Sequence, residues 1–527
     1  MTQSKPSTKN ALPPSNPVDI CVIGGGVNGA GIARDAAGRG LSVVLLEKDD
    51  LAQGTSSRSG KLVHGGLRYL EYYEFRLVRE ALIEREVLLA SAPHIIWPMR
   101  FILPHSRADR PAWLVRAGLF LYDHLGGRKR LPPTRTLDLR KSVKGEALKA
   151  SYVKAFEFSD CWVDDARLVI LNALDAQQRG AVIKTRTRCK RACRVKGLWE
   201  IQTIESHTGE QSLLTARCII NAAGPWVNRV IESADRVTTR RQVRLVKGSH
   251  IVVGKFWKGN QAYLIQNSDK RVIFINPYEH DKALIGTTDI AFDGQVDNVS
   301  IDDSEISYLL NAVNRYFVHS LTPEDVLHSF SGVRPLYDDS ADNPSAVTRD
   351  YLFDVDTDNG EAPILSVFGG KITTFRKLAE HALDKLQPYF TTMQPAWTAG
   401  SYLPGGDIGH AGFNDFLVEL IAQHPQLPQP LLEHYARLYG SRCQQLLQGV
   451  NELEDLGQQF SPLCFEVELR FLINHEWAMS VDDLLARRTK HALHMSQEER
   501  EHVEYWFNQQ VTVPAAQDQI LQNVNAN

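Results

Sequence analysis

The chain has 527 residues, with 59 Lys+Arg against 62 Asp+Glu and a formal net charge of −3. Hydrophobic residues make up 43% and charged residues 23%, the ordinary mix of a globular protein with large cores. The balance of charge excludes a dedicated nucleic-acid binder, and the composition excludes bulk disorder, collagen-like repeats and a disulfide-rich scaffold.

Residues 1–17 are polar and carry Pro6, Pro13, Pro14 and Pro17 without the apolar core of a signal peptide, so a disordered tail is expected. Folded structure is predicted to begin at Val18. Val18–Ile23 reads as a buried strand, Ala30–Ala37 as a helix stopped by Gly38 and Gly40, and Leu41–Leu46 as a second strand ending at Glu47. This is a βαβ unit. Between its first strand and helix stands Gly24-x-Gly26-x-x-Gly29. Such glycines permit a tight turn, let the backbone approach a pyrophosphate and let helix and sheet pack closely, while the helix N-terminus favours the negative charge. Glu47 follows about 20 residues on, where a carboxylate can bond a ribose 2′-hydroxyl and would repel a 2′-phosphate. The pattern reads as a dinucleotide site and disfavours NADP.

The stretch Thr55–Gly66 then places Thr55, Ser56, Ser57, Lys61 and His64 among small residues, suited to wrapping a diphosphate and a flat ring system. Taken alone, such a stretch is more often a polar loop. A helix is predicted around Glu74–Leu89. Residues 94–130 interleave seven basic residues (Arg100, Arg107, Arg110, Arg116, Arg128, Lys129, Arg130) with Trp97, Phe101, Trp113, Leu114, Phe120 and Leu121. This suits an interfacial segment on anionic lipid, and equally an amphipathic helix packed on the nucleotide domain.

From Ser159 the α/β pattern returns, with a helix near Leu168–Gln178 and strands Val182–Thr185 and Cys218–Ala223, the last ending in Gly224-Pro225. Between residues 242 and 290, short segments (Leu245–Val253, Ala262–Gln266, Val272–Asn276, Ala283–Gly286) are separated by polar turns and predict an antiparallel sheet in a second domain. Pro363–Phe368 is one more buried strand, followed by Gly369-Gly370 and a helical Leu378–Leu386. After Pro404-Gly405-Gly406 the pattern is helical, as in Phe416–Ala422 and Val467–Asn474. No run of about 18 uncharged apolar residues occurs, so the protein is expected in the cytosol or against a membrane from that side. The seven cysteines are scattered without a C-x-x-C pair, and neither a disulfide framework nor a metal site is expected.

Several motifs in this order resemble one family. Val22–Gly31, Thr55–Gly66 with Leu67–Leu70, Asp160–Asp165, Gly248–His250, Ser331–Pro335 and Phe368–Lys371 look like the FAD-dependent, respiratory glycerol-3-phosphate dehydrogenases of bacteria, in particular the aerobic, membrane-associated type. The resemblance covers about residues 18 to 510. It implies an α/β plus α architecture: a discontinuous Rossmann-like FAD-binding domain (18–93, 151–235, 331–395), an inserted antiparallel-β substrate domain (94–150, 236–330) and a C-terminal helical domain (400–527). It further implies oxidation of sn-glycerol 3-phosphate to dihydroxyacetone phosphate, with FAD as cofactor and quinone as acceptor, on the inner face of the plasma membrane. A homodimer is compatible with it. Matching positions place Arg68, Tyr69, His250, Arg334 and Lys371 at the substrate. Gly24, Gly26, Gly29, Glu47, Thr55, Ser56, Ser57, Lys61, His64, Ala223, Gly224, Thr373 and Thr374 fall on the cofactor segments.

The chemistry of those residues agrees. A phosphate dianion calls for a cation with geometric specificity, and the planar fork of Arg334 offers it, in what reads as a turn ahead of the 364–368 strand. Lys371 follows two glycines at a strand end, where α/β sheets place ligands. Oxidising a secondary alcohol needs a proton acceptor, for which His250 and His64 are the candidates, His250 the favoured one. No second dinucleotide motif and no cysteine cluster is present, so the electron acceptor is external. Two rivals share these features: an oxidase of the same fold acting on an amine or amino acid, which Arg68 and Lys371 disfavour, and a non-catalytic nucleotide-binding adaptor.

Overall fold

The computed structural model describes residues 16–106, 110–239, 241–337, 350–358, 360–409 and 412–511. Residues 1–15 of the predicted tail lie outside them. The chain divides into two compact units, Met1–Ser91 with Ile96–Ser401, and Ala92–Ile95 with Tyr402–Asn527.

The first unit is built on two sheets. In one, Val18–Ile23 pairs in parallel with Val43–Leu46 on one side and Gln211–Asn221 on the other, and Ile364–Gly369 continues beyond the latter. Strands covered on both faces read as unbroken apolar runs, as do the buried residues 20–23 and 43–46. Helices Val27–Gly38, Asp165–Gln178 and Phe375–Leu386 pack beside it. Gly31 admits Phe375 so closely that a Cβ there would lie 2.7 Å from the ring, and buried Arg34 donates to buried Asp175 at 2.5 Å.

The other sheet has ten strands. Val243–Gly254 pairs antiparallel with Val326–Tyr337 and with Lys282–Gly286. Val272–Tyr278 and Ala262–Gln266 follow, and Ile96–His105 joins in parallel before Lys154–Val163. Two expectations change here. Residues 96–105 are a strand, neither an interfacial segment nor an amphipathic helix: Phe101 is fully buried and Arg100 is spent on Glu157 at 3.2 Å. The amphipathic character belongs to the helix Ala112–Leu125 alone. Arg334, expected in a turn, lies inside the strand Val326–Tyr337, because Gly332 and Pro335 sit where the strand pairs with Gly248 and Leu245 without breaking the register.

The second unit is helical, with Phe413–Gln423, Gln429–Tyr439, Glu466–His475 and Gln497–Val511 around a core that includes Leu431, Tyr435, Leu469, Leu472 and Val503. Within it, buried Glu468 accepts from His434, His491 and Tyr439, each at 2.9 Å. Burial opposes its charge, yet the two imidazoles hold its carboxyl below the usual range.

Candidate active site

A cavity opens at the carboxyl ends of the parallel strands, where ligands bind in open α/β sheets. Gly24, Gly26, Glu47, Ala223, Gly224, Gly369, Gly370 and Lys371 line it there. Gly24 has a φ of +112°, and a Cβ on it would lie 2.6 Å from the carbonyl oxygen of Ala222. A Cβ on Gly29 would collide with the carbonyl oxygen of Gly24, so Gly29 seats the helix on the turn and does not itself face the cavity. The helix Val27–Gly38 starts at Gly26 without a side-chain cap from that residue; Ser56 Oγ reaches in and accepts from Val27 N at 3.0 Å. Asn28 donates to the Gly369 carbonyl at 3.3 Å, and its Oδ1 is buried without a partner among the described residues. Glu47 accepts from the backbone of Gly25 at 2.6 Å and of Asp49 at 2.8 Å. Burial dominates its titration and pushes its carboxyl up to about 7.

The remaining wall is one face of the ten-stranded sheet. Cross-strand register aligns Gly332 with Gly248, and, one level further, Phe330 with His250, Gly286 and Phe274. A Cβ on Gly248 would clash with the Arg334 guanidinium and lie 2.6 Å from Thr287 Oγ1, so the arginine lies across the bare backbone at that point. Arg334 donates to the Thr288 carbonyl at 2.9 Å and stands 3.5 Å from Asp289. His250 stacks on Phe330, ring centroids 5.0 Å apart, and its Nδ1 is buried without a partner among the described residues. Burial first, then the charges of Arg334 and Lys61, push its pKa down to about 3, so the imidazole is neutral at neutral pH.

Of the other predicted residues, Thr55, Ser56, His64, Tyr69 and Thr373 line the cavity, and Lys371 Nζ stands 4.0 Å from the centre of the Tyr69 ring. His64 lies 5.9 Å from Phe274 by ring centroids, its backbone N–H donates to Thr373 Oγ1 at 3.2 Å, and its Nδ1 accepts from Gly66 at 3.1 Å. The adjoining Gly65 makes room for protein: a Cβ there would meet Leu82 and, at 2.7 Å, the Tyr122 hydroxyl. Four residues stand elsewhere. Lys61 is buried and paired with Asp165 at 2.7 Å, and also donates to the Ser57 carbonyl. Ser57 and Thr374 do not line the cavity. Arg68 is outside it too, donating to the Tyr72 hydroxyl at 3.3 Å. Sequence reasoning passed over Asn28, Arg58, Phe274, Asn276 and Thr287, which the cavity includes. The strand period could have found Phe274 and Asn276, which alternate with buried Ile273 and Ile275.

Comparison with known proteins matches residues 19–374 to the family described as FAD dependent oxidoreductase. The chain belongs to that family. Residues 396–507 match the C-terminal domain of alpha-glycerophosphate oxidase. The chain is 62% identical to the D-erythritol 1-phosphate dehydrogenase of Brucella abortus, covering 93% of this chain and 97% of that one. It is 50% identical to the aerobic glycerol-3-phosphate dehydrogenase of Escherichia coli over the same shares. Among solved structures, it resembles the FAD complex of glycerol-3-phosphate dehydrogenase from Bacillus halodurans, with a TM-score of 0.75, 27% identity, and coverage of 97% of this chain and 94% of that one. The cofactor is FAD. The glycine turn at the helix start and the Asn28 oxygen, without a partner among the described residues, fit it.

Two kinds of glycine substitution separate folding from cofactor contact. Gly29→Ala and Gly24→Ala should fold poorly or yield colourless protein, because each methyl group meets backbone. Gly26→Ala meets only Ser56 Oγ at 3.1 Å and should melt near the wild type as apoprotein, so reduced flavin absorbance in that variant reports the pyrophosphate contact itself. Stoichiometric flavin in Gly29→Ala would contradict this division.

Proposed function

We propose that the enzyme oxidises sn-glycerol 3-phosphate to dihydroxyacetone phosphate and delivers the electrons to a membrane quinone. The observation that carries this is the placement of a guanidinium and a neutral imidazole on one sheet face, a level apart, inside the cofactor cavity. Arg334 binds the phosphate, supported by Lys371, and so fixes the carbinol carbon beside His250. FAD supplies a two-electron acceptor for the hydride. His250 takes the hydroxyl proton at Nδ1, which has no partner among the described residues; it is unprotonated at neutral pH, and a phosphate dianion on Arg334 offsets the cationic charge that weakens it as a base. Phe330, stacked on the ring, and Phe274 at the same level give the imidazole apolar neighbours. Relatives at 50% identity and above carry names that specify phosphorylated polyols, which favours this reading over an amine oxidase. The 62% identical relative supports a second reading on the same chemistry, with D-erythritol 1-phosphate as substrate.

The direct test is anaerobic. Purified yellow protein should bleach with glycerol 3-phosphate and recover its colour with a quinone; failure to bleach with any polyol phosphate would refute the reading.

For the phosphate contact, a charge-assisted interaction is worth roughly 1.5–3 kcal/mol, or about 10- to 150-fold. Arg334→Ala should lose at least that much in kcat/KM for glycerol 3-phosphate, and Arg334→Lys less. Neither should lose much further on plain glycerol. Equal proportional losses on both substrates would mean that Arg334 serves the flavin or the fold.

Membrane attachment is proposed through the helix Ala112–Leu125. Trp113 is 72% exposed and Phe120 55%, with Leu114 and Leu121 also exposed beside them. Among the described residues no helix is long and apolar enough to cross a membrane. The basic residues nearby are largely engaged: Arg110 with Glu71, Arg128 with Asp123, and Arg116 with Thr134. Apolar insertion therefore outweighs charge. Trp113→Ser with Phe120→Ser should release the enzyme from phosphatidylglycerol vesicles in flotation while activity with a soluble acceptor survives. Unchanged flotation would contradict the assignment.

A further inference from the structure

The same sheet face continues past His250. In register with Val252 lies Leu284, and in register with Leu284 lies Asn276. Both Leu284 and Asn276 line the cavity. Equivalent positions on one strand face are about 7 Å apart. The face thus presents three levels in order: the Arg334 guanidinium over Gly248, then His250 with Phe274, then Asn276 with Leu284.

Asn276 is out of character at that place. Asparagine is depleted in strands, and this one is 1% exposed among aliphatic and aromatic side chains. Its amide is only half satisfied. Nδ2 donates to the Gly60 carbonyl at 3.3 Å, while Oδ1 is buried with no partner among the described residues. The Gly60 carbonyl can only accept, so it fixes which end of the amide is which. The open end is then the acceptor, in a residue that lines the cavity. A buried acceptor left unpaired costs about 10-fold or more in an equilibrium constant, so it discriminates between ligands that bring the donor and ligands that do not.

We propose that Asn276 is the subsite for the additional hydroxyl of a four-carbon polyol phosphate, and that the cavity takes D-erythritol 1-phosphate in preference to glycerol 3-phosphate. This rests on the polyol-phosphate reading above. With the phosphate on Arg334 and the reacting carbinol at His250, glycerol 3-phosphate has a single hydroxymethyl group left. A four-carbon chain has one more hydroxyl-bearing carbon, directed along the face toward the third level. The reaction is unchanged: the carbinol next to the phosphate-bearing carbon gives its hydride to FAD and its hydroxyl proton to His250, leaving a ketone. Only the length of chain beyond that carbon is read by Asn276.

The test is the ratio of kcat/KM for D-erythritol 1-phosphate to that for glycerol 3-phosphate, measured on the holoenzyme with a soluble acceptor. Wild type should favour the longer substrate by about 10-fold or more. Asn276→Leu, of nearly the same shape without the acceptor, should lower the ratio by about 10-fold, and Asn276→Ala should do the same should the leucine variant fold poorly. Flavin content and melting temperature show whether each variant is intact. An unchanged ratio in intact variants, or a wild type that prefers glycerol 3-phosphate, overturns the subsite. Arg334→Ala distinguishes this from the underlying reading: it should depress both substrates and leave the ratio in place. Oxidation of neither substrate by the wild type overturns the polyol-phosphate reading and the subsite with it.

Discussion

The chemistry of this protein depends on bare backbone in the middle of a sheet. Gly332, Gly248 and Gly286 occupy neighbouring positions on adjacent strands, and each is pressed by a side chain from elsewhere: Arg58 against Gly332, Arg334 against Gly248, His250 against Gly286. A β-carbon at any of the three would fill the space these functional groups use. Strands ordinarily avoid glycine because it adds no packing and loses more entropy on folding. Here the sheet forgoes that packing, and the resulting trough lets a guanidinium and an imidazole lie flat against one wall of the cavity.

Electrostatics sorts the charged residues into those held for structure and those left for the ligand. By its place in the sequence Lys61 is expected at the cofactor, but Asp165 draws it into a buried pair outside the cavity lining. Arg85 and Tyr122 are likewise committed to Asp160. A buried charge without a counter-charge is strongly unfavourable, so such pairs fix the elements that carry them. Arg334 differs in degree. It keeps a carbonyl and a more distant carboxylate as company, lies partly open to the cavity, and lowers the pKa of His250 from close by. Burial first, and this cation next, keep the neighbouring imidazole unprotonated, and the same cation is the one proposed for the phosphate.

The nucleotide half of the site was largely legible in the sequence, for a physical reason. Its geometry is set by backbone at fixed offsets within one strand–turn–helix unit, so the turn at Gly24 and Gly26, the helix seat at Gly29 and the strand end at Glu47 announce themselves through spacing alone. The fold class followed from the same local signals, since strands buried on both faces and helices of regular period leave a clear pattern. Residues 96–105 are not legible as a strand because Trp97 and Arg100 among apolar residues suit an interfacial segment equally well, and only pairing with Ala262–Gln266 and Lys154–Val163 tells the two apart.

The wall proposed for the substrate was decided by tertiary structure. Arg334, His250, Phe274 and Asn276 come from three strands far apart in the chain, and what unites them is cross-strand register, which no local pattern encodes. The sequence by itself determined that a dinucleotide would sit on a glycine turn and that basic and imidazole groups were available. Which of those groups meet was settled by packing: Lys61 turns to a buried aspartate, Arg68 to a tyrosine outside the cavity wall, and Asn276, an unremarkable residue in a strand, arrives with an unpaired oxygen in the cavity. Side-chain type fixes what a residue can bond, but the partners it is left without depend on the whole fold.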